Sequence, residues 1–122
     1  MILADTSVWI DHFRTPSHEL RRYLTQAHIV MHPFVVAELA LGSLRQRSKT
    51  LALLDLLPQL RVAQTAELRQ LIEHHRLYAQ GMGLVDAHLI ASVLINPGTL
   101  LWTRDKQLRK SAEALGIHAA IA

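Results

Sequence analysis

Three short apolar runs each stop at polar, turn-forming residues. Ile2 to Ala4 stops at Asp5-Thr6-Ser7, His28 to Met31 stops at His32-Pro33, and Thr99 to Trp102 stops at Thr103-Arg104-Asp105. Runs this brief, bounded in this way, predict short buried strands. Between them lie longer segments with helical spacing. Leu20, Tyr23 and Leu24 share one face, and Leu51, Leu54 and Leu57 share another before Pro58. Leu68, Leu71, Ile72, Leu77 and Tyr78 mark a third helix that should end at Gly81 and Gly83. From about Leu84 to Ile95 the chain is apolar nearly all round, which predicts a buried helix.

Strand and helix alternating in this manner predict an α/β fold with a small parallel sheet covered on both faces. Parallel crossovers place every strand's C-terminal end on one edge, and such folds bind ligands there. Pro97-Gly98 punctuates the last helix-to-strand turn. Nothing reads as a linker, repeat or low-complexity segment, and 122 residues suit one domain, so a single domain over 1–122 is expected.

Composition narrows the chemistry. The chain has no cysteine, which removes disulfide frameworks, zinc-thiolate sites and thiol catalysis. Met1 to Ala4 has no basic segment before it and an acid directly after, and no apolar run approaches the roughly 20 residues that cross a bilayer. A soluble, cytoplasmic protein without membrane contact is therefore expected. Thirteen Lys and Arg against ten Asp and Glu give a formal charge of +3, which favours an anionic partner only slightly.

The ten acids separate by context. Asp11, Glu19, Asp55, Glu67, Glu73 and Glu113 have polar or basic neighbours, and a solvated helix face accounts for them. Glu38 stands alone in an apolar helix, Phe34 to Leu41. Asp86 sits near the start of the buried helix, where an unpaired ion would be costly, although capping that helix is an alternative. Asp5 and Asp105 each follow a strand, so both should lie on the same sheet edge, and each taken singly could merely cap the next helix. The four together suggest convergence. Converging carboxylates repel one another unless a cation intervenes. All-oxygen ligation suits Mg²⁺ or Mn²⁺, and such ions can activate water and hold a scissile phosphate.

Four segments then resemble a known family. They are Ile2-Leu3-Ala4-Asp5-Thr6-Ser7-Val8-Trp9-Ile10, Val36-Ala37-Glu38-Leu39 followed by Gly42, Gly83-Leu84-Val85-Asp86-Ala87-His88-Leu89-Ile90-Ala91, and Leu101-Trp102-Thr103-Arg104-Asp105-Lys106-Gln107-Leu108. In this order they resemble the PIN-domain ribonucleases, specifically toxins of the VapC type. The resemblance implies a three-layer α/β/α sandwich, Mg²⁺- or Mn²⁺-dependent endonucleolytic cleavage of RNA, homodimerisation, and neutralisation by a VapB-like antitoxin in a type II toxin-antitoxin pair. It puts Asp5, Glu38, Asp86 and Asp105 in the family's acidic quartet, as catalytic groups and metal ligands. Thr6 or Ser7 matches the hydroxyl after the first acid, and Thr103 the one before the last. Many relatives place Asn at the fourth position, which leaves open whether Asp105 touches metal or holds water or RNA. Neutralising Asp5 or Asp86 is expected to abolish cleavage and leave the fold intact.

Of the basic residues, Arg104 and Lys106 lie beside the proposed site and are candidate RNA contacts, with Arg109 and Lys110 near them; Arg45, Arg47 and Lys49 form a second cluster. The eight histidines share no metal-ligand spacing. Trp9, Phe13 and Trp102 are expected in the core or a dimer interface rather than stacked on bases. Two other readings fit the alternation of elements. A phosphoacceptor receiver domain would need an acidic pair after the first strand and a Lys after a late one, where this chain has Thr6-Ser7 and Arg104. An inactive PIN-like module that only binds RNA or a partner would not need all four acids.

Overall fold

The computed structural model describes residues 1–121. All three apolar runs form strands, the first over its whole length and the other two slightly shorter than the runs: β1 (Ile2–Ala4), β2 (Ile29–Val30) and β3 (Leu100–Trp102). They make a parallel sheet in the order β2-β1-β3, with Ile2 level with both Ile29 and Leu100. Single bridges widen it at both edges, Met31 to Gln59 outside β2 and Leu101 to His118 outside β3. Leu3, Ala4, Ile29, Val30, Leu101 and Trp102 are all buried, as strands covered on both faces must be.

Seven helices occur among the described residues: α1 (Thr6–Arg14), α2 (His18–Thr25), α3 (Pro33–Leu41), α4 (Arg47–Asp55), α5 (Thr65–His74), α6 (Leu84–Ile95) and α7 (Lys106–Ala114). The chain steps from β1 to β2 to the Gln59 edge in one direction, then returns to β3 and the His118 edge in the other. Parallel crossovers are right-handed in nearly all proteins. The first direction therefore places α1 to α4 on one face, and the return places α5 to α7 on the other. Contacts agree with this grouping: α1 packs on α3 and α3 on α4, while α5 packs on α6. The Ser111 hydroxyl of α7 donates to Gln80, just beyond α5, at 2.7 Å. The result is a three-layer α/β/α sandwich around a small parallel sheet.

The reversal of direction falls between β1 and β3. Their C-terminal ends lead into α1 on one face and α7 on the other, and α/β folds bind ligands at such a point of reversal. Neighbouring backbone bonds hold the two ends together, Asp5 N–H donating to the Trp102 carbonyl at 2.9 Å.

α6 has the expected bounds, and Ala87 through Val93 are buried along it. α5 does not. It ends at His74 rather than continuing toward Gly81, and Arg76 takes a left-handed conformation with φ of 54°. Leu77 is still buried, but from a turn, and Tyr78 is exposed. Trp9 and Trp102 are core residues as expected, whereas Phe13 is exposed. No helix among the described residues is long and apolar enough to cross a membrane.

Candidate active site

The site is best built from Asp5. It leaves β1 in an extended conformation and caps α1, its Oδ1 accepting from the Val8 N–H at 3.2 Å. The Ser7 hydroxyl donates to the same oxygen, and the Thr103 hydroxyl donates to Oδ2. Only 5% of Asp5 is exposed. Burial raises its pKa above the usual carboxylate value, and the hydrogen bonds from Ser7, Thr103 and Val8 oppose that rise.

Whereas Asp5 follows β1 directly, Asp105 lies three residues beyond the end of β3. It caps α7 through the Leu108 N–H at 2.8 Å, and its own N–H donates to Thr103 Oγ1 at 3.0 Å. Thr103 is thus a buried link, donating to one acid and accepting from the backbone of the other. The capping role that each acid could have had singly is real for both. It also fixes where the two carboxylates sit.

Glu38 reaches the site from α3. That helix starts at Pro33 and is capped by His32, a fully buried histidine whose Nδ1 accepts from the Phe34 N–H at 2.9 Å. Six residues along, Glu38 Oε1 accepts from the Thr6 hydroxyl at 2.6 Å, which ties α3 to the start of α1. Both Thr6 and Ser7 are therefore engaged with acids, on different partners.

Asp86 is not a cap. Gly83 takes the capping position of α6 without a side-chain bond, and Asp86 falls in the first turn. It is half-buried, and alone of the four its carboxylate has no hydrogen-bond partner among the described residues. Its pKa is pushed up to about 6, first by burial and then by the charges of Asp105, Asp5 and Glu38. Acids from three other elements thus fall within Coulombic reach of this one carboxylate at the sheet edge.

The donor set is oxygen-only, crowded with like charge and free of thiols, which suits a hard divalent cation. Among the described residues no three Asp, Glu or His side chains are gathered tightly enough to hold an ion as they stand. Three of the four acids instead turn to hydroxyl or backbone donors. An ion would have to draw them inward or complete its shell with water.

Arg104 lies at the rim of this edge. Its guanidinium meets Asp11 Oδ2 at 2.9 Å and stands 6.0 Å from the Trp102 ring centre, while its N–H donates to the Ser7 hydroxyl at 3.1 Å. Asp11, which its local sequence assigns to a solvated face, is therefore joined to the site through Arg104. Only a partner 93 residues away reveals this. Lys106 is exposed on the first turn of α7, and no ion pair ties it to the acids among the described residues. His88 packs against Phe34 and His32, with ring centres 4.8 and 6.5 Å apart.

Comparison with known proteins agrees with this geometry. The sequence profile of the PIN domain matches residues 2–114. Ribonuclease VapC32 from two strains of Mycobacterium tuberculosis, CDC 1551 / Oshkosh and ATCC 25618 / H37Rv, is 43% identical over 120 residues in each case, covering 98% of this chain and 97% of the relative. The chain belongs to the PIN-domain family, and within it to the VapC type.

Proposed function

We propose that this chain, as a single PIN domain over 1–122, is a Mg²⁺-dependent endoribonuclease and the toxin of a type II toxin-antitoxin pair. The observation that carries the reading is the Asp86 carboxylate, whose pKa is pushed up to about 6 by burial and then by the charges of Asp105, Asp5 and Glu38 from three other elements. Membership of the VapC type, whose relatives here are named ribonucleases, supports RNA as the substrate and a VapB-like antitoxin as the partner. The same membership displaces the receiver-domain reading. Homodimerisation and a cytoplasmic location are part of the same proposal.

PIN-domain nucleases generally use a divalent metal. For this chain Mg²⁺ is proposed, with Mn²⁺ as a substitute. Asp5, Asp86 and Glu38 would hold the ion, with Asp105 either touching it or acting through water. When bound, such an ion acidifies a water and neutralises charge on the scissile phosphate. The remaining work falls to the chain. Ser7 and Thr103 orient Asp5 by donating to its two oxygens, and Thr6 orients Glu38. Arg104 and Lys106, on the rim at the start of α7, would contact the RNA backbone.

The test is incubation of purified protein with RNA in Mg²⁺ and in EDTA, read on a gel. Cleavage in Mg²⁺ that stops in EDTA is the expected result. Intact RNA in both, with the protein folded, would favour the inactive RNA- or partner-binding module. Expression without the antitoxin should also arrest growth.

A further inference from the structure

The ion pair between Arg104 and Asp11 is not needed to explain the fold. Both side chains are substantially exposed, at 33% and 42%, and pairs of that kind contribute little stability. Its location is more informative. Asp11 lies on α1, the helix that Asp5 caps, and Arg104 lies in the link between Thr103 and Asp105. The backbone of Arg104 is already fixed by its N–H bond to Ser7, which itself donates to Asp5. Asp11 then fixes the far end of the side chain.

Asp11 accepts from Nη1 alone. The other donors of the guanidinium have no hydrogen-bond partner among the described residues. Arg104 lines an open hollow of about 500 Å³ together with Asp11, Arg14, Ser17, His18 and Glu19. A guanidinium presents its donors as a rigid fork and can hold a carboxylate on one edge and a phosphate on another.

We infer that Asp11 is a positioning residue for RNA binding: it holds the Arg104 guanidinium at the rim of the acidic site with an unpaired edge turned to a substrate phosphate. This rests on the reading of Arg104 as an RNA contact. Asp11 acts on affinity in two opposing ways. Fixing a long side chain in advance spares its ordering on binding, roughly a two- to tenfold gain in affinity. The negative charge also repels the phosphate beyond the guanidinium, but through screened solvent that loss is less than about twofold. Positioning prevails.

The test uses a short, fluorescently labelled single-stranded RNA of mixed sequence. Binding is read by anisotropy over a range of salt, with every variant built on Asp86→Asn so that the RNA stays whole. Asp11→Ala is expected to weaken binding roughly two- to fivefold, the gain from positioning less the repulsion. Asp11→Asn, which keeps an acceptor oxygen, should fall between it and the parent, and all should melt at closely similar temperatures. Arg104→Gln should weaken binding and lower the salt slope by about 1. In the Arg104→Gln background, Asp11→Ala should add almost nothing. Tighter binding by Asp11→Ala would overturn the inference, since Asp11 would then be a competitor of the phosphate. So would an undiminished Asp11→Ala effect in the Arg104→Gln background, which would mean that Asp11 acts by another route. Unchanged binding and salt slope in Arg104→Gln alone would instead remove the phosphate role of Arg104, and the inference with it.

Discussion

Asp86→Asn is expected to lower RNA cleavage by more than about a hundredfold and to raise the melting temperature of the metal-free protein at neutral pH. The activity estimate follows from ligand chemistry: removing groups that only orient a metal ligand already costs roughly 10–100-fold, and Asp86 is proposed as a ligand. The stability gain follows from the crowding. Asp86 titrates near 6 in the folded chain against a usual value of 3.8, so the folded state holds more protons than the unfolded one between those values. Its contribution is therefore favourable at low pH and is lost as pH rises through about 6. Asn cannot ionise and escapes that loss. Because Asp86 is only half-buried, the shift is discounted for solvent screening to on the order of 1 kcal/mol, or roughly 3–5 °C in melting temperature. Near pH 4 the two proteins should melt alike. His32, whose pKa burial and His88 push down to about 4, follows the opposite course, losing stability as pH falls, but it is present in both proteins and cancels. Melting at or below the parent at pH 7, with cleavage retained, would make Asp86 an ordinary helix residue.

Asp5 behaves differently from Asp86, although the sequence alone groups them. Substituting Asp5 removes the cap of α1 and strands the Ser7 and Thr103 hydroxyls, so, unlike the intact fold expected from the sequence, loss of cleavage there is expected to come with loss of stability.

Thr103→Val is expected to destabilise the fold by about 2–3 kcal/mol and to reduce cleavage by tenfold or more. The side chain is wholly buried and nearly isosteric with Val, so packing is preserved. The Asp5 carboxylate, however, loses the donor on Oδ2, and the Asp105 N–H loses its acceptor. Hydrogen bonds to buried charged groups are the costly ones to remove. With a donor gone, Asp5 is also pushed further upward from its usual pKa, which disfavours the ionised form that binds a cation. Thr103→Ser keeps the hydroxyl and should retain most of both properties. Thermal melting and initial cleavage rates of the two variants check this, and a fully active, fully stable Thr103→Val would show that the link between the two strand ends is dispensable.

Sequence spacing revealed most of what places the acids. Strand ends are marked by abrupt polar residues, so Asp5 and Asp105 could be put on one edge, and the unbroken apolar run identified α6 with its bounds. Other features depend on contacts that spacing does not encode. Leu77 and Tyr78 continue the apolar spacing of α5, yet the chain turns at Arg76 and buries Leu77 from outside the helix. Gln59 and His118 each extend the sheet through one bridge, too little to leave an apolar run. Asp86 looked capable of capping because Asp favours that role, but Gly83 occupies the position. Asp11 has polar neighbours in sequence, and its ion-pair partner Arg104 lies 93 residues away.

The most direct test is diffraction from crystals soaked in Mn²⁺, with anomalous maps used to locate the ion. Anomalous density between the Asp5 and Asp86 carboxylates, absent from Asp86→Asn crystals treated alike, is the predicted result. Mn²⁺ bound only on another face of a protein that cuts RNA would contradict the claim that acids from four elements serve a single ion-dependent site.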